Sequence, residues 1–452
     1  MSRRVVITGL GPITALGLGV EALWRGMVEG RSALRRIEAF DPAGFSSQIG
    51  GEVRGLDIRE FVPKSYRKAT KVMARDIELA VAAADFAAKD AQLVTRGTHP
   101  DAAPSYPPPR VGCQIGAGLI AADLDELTAA LVEARASEGP QAGSFDIHKW
   151  GREGMSHLTP LWLLKYLPNM LACHVTIIHD TQGPSNTITC GEASAGLSLG
   201  EALRVIGRHA ADMCFCGGAE SKMNPAVFLR QVFSDRLTTR GNDHPETAVR
   251  PFALDASGTA AAEGGGILVL EAWDTFRQRR DAATGTKPRA YAEVTGFGAA
   301  QSVNPARDHL TPHPEGRALA NAVLTALRTA GLDPAQIDLI VPMGLGTPES
   351  DLAEVTAYRR VFGERLAQIP LASTKPYVGN CAAGAGGVDL CLAARAIAEQ
   401  TIPARINCSR PMPGVLAGDA PATRASLRHA LCVGTGVGGQ VAATVLSAPT
   451  EA

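Results

Sequence analysis

Short apolar runs alternate with longer segments whose apolar positions recur at helical spacing, the pattern of an α/β chain with strands buried on both faces. Strands are predicted at Arg4–Thr8, Val111–Ile115, Asn186–Cys190, Met213–Cys216 and Gly266–Glu271, and then at Arg289–Phe297, Ile337–Val341, Ala372–Lys375 and Leu431–Val433. Helices are predicted at Val20–Glu29, Ala74–Ala91, Ala121–Ala136, Ser194–Arg208, Gly316–Ala330, Asp351–Phe362 and Val388–Glu399. Continuous apolar strands of this kind lead us to expect mostly parallel sheets.

The charged stretch Asp274–Lys287 separates two parts. We place the first at residues 1–272, a connecting segment at 273–287 and the second part at 288–452. Each part has an early and a late β-segment running into a glycine-rich turn: VVITGLG and CFCGGAE in the first, DLIVPMGLG and LCVGTGVGG in the second. This is a faint internal echo, too divergent to establish a repeat. Weakly ordered segments are expected at Thr95–Pro109, Ser137–Ser144 and Ser447–Ala452.

Composition narrows the class. The chain has 452 residues, 45% of them apolar, and a net charge of −1, which suits a soluble globular protein with ample core. Near-neutral charge argues against a nucleic-acid partner or an anionic membrane surface. Nine cysteines without regular spacing suit a reducing compartment, so a cytoplasmic location is expected. Cys214 and Cys216, in MCFCGGAE, read as small hydrophobes of a buried strand. The opening MSRRVVITGLGPITALGLGV is interrupted by Gly9, Gly11 and Pro12, and reads as strand, turn and helix instead of an export signal. Leu158–Ile178 contains Lys165, Pro168 and His174, too interrupted for a membrane span. The preceding basic-aromatic run Trp150–Lys165 could line a tunnel, face a partner or simply cap the fold.

The most informative segment is Gly183–Gly200, GPSNTITCGEASAGLSLG: a β-rich run, a small-residue corner, then a helix-compatible stretch. Such a strand-to-helix turn presents one side chain at a helix N-terminus, where backbone N–H groups and the helix dipole favour negative charge. This segment closely resembles the active-site segment of the β-ketoacyl-acyl-carrier-protein synthases, the condensing enzymes of fatty-acid and polyketide synthesis. The resemblance covers nearly the whole chain through RRVVITGLGPITALG, FDPAGF, GGAESKMNP, RLTTRGNDHPETAVRPF, EGGGILVLE, LASTKPYVGN and CVGTGVGGQ. It implies the thiolase fold, a five-layer α-β-α-β-α arrangement of two similar halves. Its members are acyltransferases, usually dimers, that join an acyl chain to malonyl-acyl carrier protein with loss of carbon dioxide. No metal or cofactor is implied.

Aligned on these motifs, the chain departs from the family where the chemistry lies. The nucleophilic cysteine falls on Glu192, which cannot form a thioester. The first of the family's two histidines falls on Met343, before Thr347, Pro348 and Asp351, and cannot donate a useful hydrogen bond. The second falls on Asn380, after Ser373, Thr374, Lys375 and Gly379, and an amide can still donate. Asp389 stands where the family carries an acid facing the lysine, so a structural Lys375–Asp389 pair is expected. Thr435 and Val437 replace the gating aromatics.

The expected degenerate catalytic set is therefore Glu192, Asn380 and Lys375, with Thr347, Thr435 and Cys190 near the substrate. A blander role for Glu192 is a helix-terminal acid, possibly paired with Lys375. Cys190 could be a displaced nucleophile, His174 a core histidine, and His309 with His313 a loop of low metal-binding promise. The resemblance implies as partners an acyl carrier protein with a phosphopantetheine-linked chain, and a homodimer or a heterodimer with an active ketosynthase. Two functions compete: a non-elongating subunit resembling the chain-length factors of type II polyketide systems, and an acyltransferase, decarboxylase or β-ketoacyl synthase with altered chemistry at Glu192.

Overall fold

The computed structural model describes residues 3–140, 142–304 and 312–450. Nine strands carry the fold: β1 Val5–Thr14, β2 Val111–Gly116, β3 Ser185–Ile188, β4 Met213–Ser221, β5 Ala261–Ala272, β6 Ala292–Gln301, β7 Leu339–Val341, β8 His429–Thr435 and β9 Gln440–Ser447. Six helices layer them: α1 Arg75–Asp90, α2 Met170–His179, α3 Ser194–Gly207, α4 Arg317–Ala330, α5 Pro348–Phe362 and α6 Ala385–Glu399.

The strands form one hydrogen-bonded path in the order β7-β8-β9-β6-β1-β5-β4-β2-β3. Only its two ends, β7–β8 and β4–β2–β3, are parallel. The inner pairings, β8–β9, β9–β6, β6–β1, β1–β5 and β5–β4, are antiparallel. The expectation of mostly parallel sheets is therefore corrected to a mixed arrangement. An apolar run reports burial on both faces, which helices on both sides impose whichever way a strand points.

The path is a duplication meeting at β1 and β6, which pair only at Val6–Glu293 and Ile7–Ala292. Outward from that seam both halves run antiparallel, antiparallel, then parallel. Each half also seats an alanine-rich helix directly on its seam strand. A Cβ on Gly9 or Gly11 of β1 would lie 2.2 or 1.9 Å from the carbonyl oxygen of Ala87 or Ala83 in α1. A Cβ on Gly296 or Gly298 of β6 would lie 2.2 or 2.1 Å from that of Ala326 or Ala322 in α4. Only glycine permits such an approach, so the same packing device has been kept twice.

Helices α1 and α2 cover one outer face, α4 and α5 the other, and α3 and α6 lie between the two halves. Every residue of α6 from Ala385 to Ile397 is buried, as expected for a helix walled in on all sides. This is the five-layer thiolase-like arrangement. Each central helix is entered through a 3-10 turn, Gly191–Ala193 before α3 and Ala382–Gly384 before α6. Both turns begin with a left-handed residue, Gly191 at φ 55° and Ala382 at φ 46°.

Several local expectations change. Ala372–Lys375 is not a strand; only Leu371 bridges to Ile340, and Lys375–Val378 is a helical turn with Pro376 at its start, where proline is well suited. Gln440–Ser447 is an unforeseen strand, its start hidden beside the glycine-rich turn. Much of the connecting segment is helix, Trp273–Ala282, anchored by buried Trp273 and Phe276. The Pro-rich Thr95–Pro109 stretch is tied down by buried Tyr106, whose hydroxyl donates to Glu271. Ser447 lies in β9, and its hydroxyl meets that of Thr295 at 2.7 Å. Trp150–Lys165 forms short helical turns, and Lys165 pairs with Glu126. Cys214 and Cys216 are buried in β4. Among the described residues, no helix is long and apolar enough to cross a membrane.

Candidate functional site

Glu192 sits in the 3-10 turn at the head of α3, with the side chain almost wholly enclosed. A buried carboxylate needs partners, and here it has two from distant segments. Arg236 Nη2 donates to Oε1 at 2.6 Å, and Asn380 Nδ2 donates to the same oxygen at 3.0 Å. The amide orientation of Asn380 follows from its other end: Oδ1 accepts the Ala382 N–H at 3.0 Å, which turns the NH2 group towards Glu192. The Asn380 backbone is fixed as well, donating to Ala260 and accepting from Ala262.

Burial is the largest single influence on the Glu192 carboxyl and pushes its pKa up. The Arg236 charge, the Asn380 amide and its own backbone N–H outweigh it, and the group is held below the ordinary glutamate value. It is an ionised carboxylate at neutral pH. The partner suggested from sequence, Lys375, is engaged elsewhere. Its ammonium lies 2.6 Å from Asp389 Oδ2, both side chains are buried, and the Thr374 hydroxyl donates to Asp389 Oδ1 at 2.6 Å. The sequence motifs do not point to Arg236 as the partner, although it opens the RLTTRGNDHPETAVRPF run. The available signal was a rule, not a motif: a glutamate placed in a closed corner requires a cation.

The remaining candidates divide into two groups. Cys190 precedes the turn, and its backbone N–H is accepted by Ser194 Oγ at 2.8 Å. Burial raises the pKa of its thiol, the opposite of nucleophile activation. Thr435 ends β8, and the glycine-rich turn behind it lies against the elbow: a Cβ on Gly436 would sit 2.4 Å from the Cys190 carbonyl oxygen. Met343 is buried beside Glu354. Its backbone N–H and that of Gly344 donate to the two oxygens of Glu354, at 2.9 and 3.0 Å. Thr347 caps α5 through its backbone, and its buried hydroxyl has no hydrogen-bond partner among the described residues.

A cleft of about 50 Å³ joins the two groups, with Arg236, Thr435, Val437, Leu345, Glu354 and His313 among its walls. Arg236 therefore faces Glu192 and also borders open space. His309 lies outside the described residues. His174 is buried, with Nδ1 2.9 Å from the Tyr66 hydroxyl, and desolvation lowers its pKa to about 4. Among the described residues, no cluster of three potential ligands could hold a metal.

Comparison with known proteins places this geometry. Residues 2–275 match the beta-ketoacyl synthase N-terminal domain and residues 291–409 the corresponding C-terminal domain. The chain is 30% identical to a 3-oxoacyl-[acyl-carrier-protein] synthase 2 of Vibrio cholerae, over 97% of each chain. It is 31% identical to a putative polyketide beta-ketoacyl synthase 1 of Streptomyces halstedii, over 99% of each. Among solved structures, the ishigamide ketosynthase/chain length factor superposes with TM-score 0.80 at 25% identity over the full length of both chains. A type II polyketide ketosynthase in complex with its acyl-carrier protein, bound to the hexaketide, gives the same score, identity and coverage. The chain belongs to the beta-ketoacyl synthase family.

Proposed function

We propose that this protein is a non-elongating, chain-length-factor-like subunit of fatty-acid or polyketide synthesis, paired with an active ketosynthase and working on chains tethered to an acyl carrier protein. The observation that carries this reading is the state of Glu192. A nucleophile or base at the elbow needs a free lone pair at the mouth of the site. The carboxylate here is buried and ionised, and its Oε1 is held by both Arg236 and Asn380. Met343 offers no donor at the second position where charge would develop during decarboxylation. The solved ketosynthase/chain length factor and the ketosynthase–carrier-protein complex supply the partner chemistry by similarity. In this reading Thr347, Thr435 and Cys190 are assigned to contact with the phosphopantetheine-linked chain, and Lys375 with Asp389 to holding the corner.

Co-expression with ketosynthases of the same genome that keep the cysteine and both histidines tests the proposal. The expected product is a mixed dimer that co-purifies and elongates acyl chains. A homodimer that ignores every such partner overturns it. So does turnover of malonyl-acyl carrier protein by the isolated chain that is lost in Glu192→Gln, which favours the decarboxylase or acyltransferase alternative.

A further inference from the structure

Arg236 and Asn380 belong to different segments, yet both converge on one carboxylate oxygen. Each is fixed independently of Glu192: Asn380 by Ala382, Ala260 and Ala262, and the Arg236 backbone by its carbonyl accepting the Thr259 N–H at 2.8 Å. A guanidinium and an amide donor aimed at one point, with water largely excluded, make a recognition site for a carboxylate. We propose that Arg236 and Asn380 form a binding pocket for a small monocarboxylate anion, and that the native chain fills this pocket with its own Glu192 side chain. The inference is independent of which subunit the protein pairs with.

Atom count and access both favour this assignment. Truncation of Glu192 at Cβ removes a methylene and a carboxylate, the heavy atoms of an acetate ion. The vacated volume therefore matches acetate, and the two donors are left facing it. Arg236 also walls the cleft lined by Thr435 and Val437, and the anion is inferred to enter past its guanidinium from that cleft. The substituted glutamate thus acts as a tethered ligand. The elbow of this chain is an occupied anion site, not merely one lacking a thiol.

The test is thermal unfolding of full-length Glu192→Ala in sodium acetate against sodium chloride at equal ionic strength. A saturable rise in midpoint of roughly 1–3 °C is expected in Glu192→Ala. No such difference is expected in the wild type, in Glu192→Gln, whose amide still fills the pocket, or in Glu192→Ala combined with Arg236→Met. An acetate response no larger in Glu192→Ala than in the wild type overturns the proposal, as does an equal response in the double variant. Should Glu192→Ala not fold in chloride, its soluble refolding yield replaces the midpoint. Recovery in acetate that depends on Arg236 then supports the site, and equal failure in both salts refutes it.

Discussion

Two buried ion pairs, one in each half of the chain, behave differently. Lys375 and Asp389 are 0% and 1% exposed, and they join the Lys375–Val378 turn to α6. Glu192 and Arg236 meet at the same 2.6 Å, but Arg236 is 11% exposed and borders a cleft. Burial is the largest influence on both acids. For Asp389 it prevails over the Lys375 charge and the hydrogen bonds from Lys375 and Thr374, and the pKa is raised. For Glu192 it is outweighed by the Arg236 charge, the Asn380 amide and its own N–H, and the pKa is lowered. The inner pair thus ties down structure at a desolvation cost. The outer pair stabilises a charge at the head of α3.

Breaking the inner pair should cost most. Lys375→Met leaves Asp389 buried without its cation, and a loss of about 3–5 kcal/mol in unfolding free energy is expected. Urea denaturation read by tryptophan fluorescence measures it, with the midpoint falling and the slope unchanged. The contrast between the pairs fails if Lys375→Met costs less than Arg236→Met.

Arg236→Met should cost roughly 2–4 kcal/mol at pH 7, because the stranded Glu192 can still relax towards the cleft. Its sharper signature is the sign of the pH dependence. In the wild type the folded pKa of Glu192 lies below its unfolded value, so its contribution to stability is fully present above the ordinary glutamate pKa of 4.5 and is lost as pH falls through the lowered folded value. Without Arg236, burial becomes the dominant influence and the folded pKa moves above the unfolded one. The variant then binds a proton more readily when folded and gains stability, relative to the wild type, as pH falls from 7 towards 5. A urea midpoint gap between the two proteins that stays constant or widens over that range would rule this out.

Much of this was legible in the chain. The predicted helix Val20–Glu29 and the strand-to-helix run Gly183–Gly200 are read from the sequence alone, and both form. Strand direction was not, since Ala261–Ala272 reads equally apolar whichever way its neighbours run. The identity of the Glu192 partner was hidden for a related reason. Arg236 is 44 residues away on a loop, and no local period connects it to the turn. Lys375, by contrast, sits only 14 residues before Asp389. Short-range patterns encode elements and caps, while the closure of a buried charge depends on contacts between segments far apart in the chain.

The smallest effect belongs to the neutral partner. Asn380→Ala removes a donor to Glu192 and an acceptor for the Ala382 N–H. It leaves the Arg236 contact in place, so a loss of about 1–3 kcal/mol is expected. Part of that loss is local: Ala382 holds φ 46°, a left-handed conformation that is costly for alanine and that the Asn380 side chain helps to fix. Adding Ala382→Gly in the Asn380→Ala background separates the two contributions, because glycine adopts that conformation without the Cβ penalty. If the loss is mainly local strain, the glycine recovers most of it. If it is mainly the charge at Glu192, the double variant stays near the single one, and the outer pair is a three-residue unit in which the amide matters for the anion.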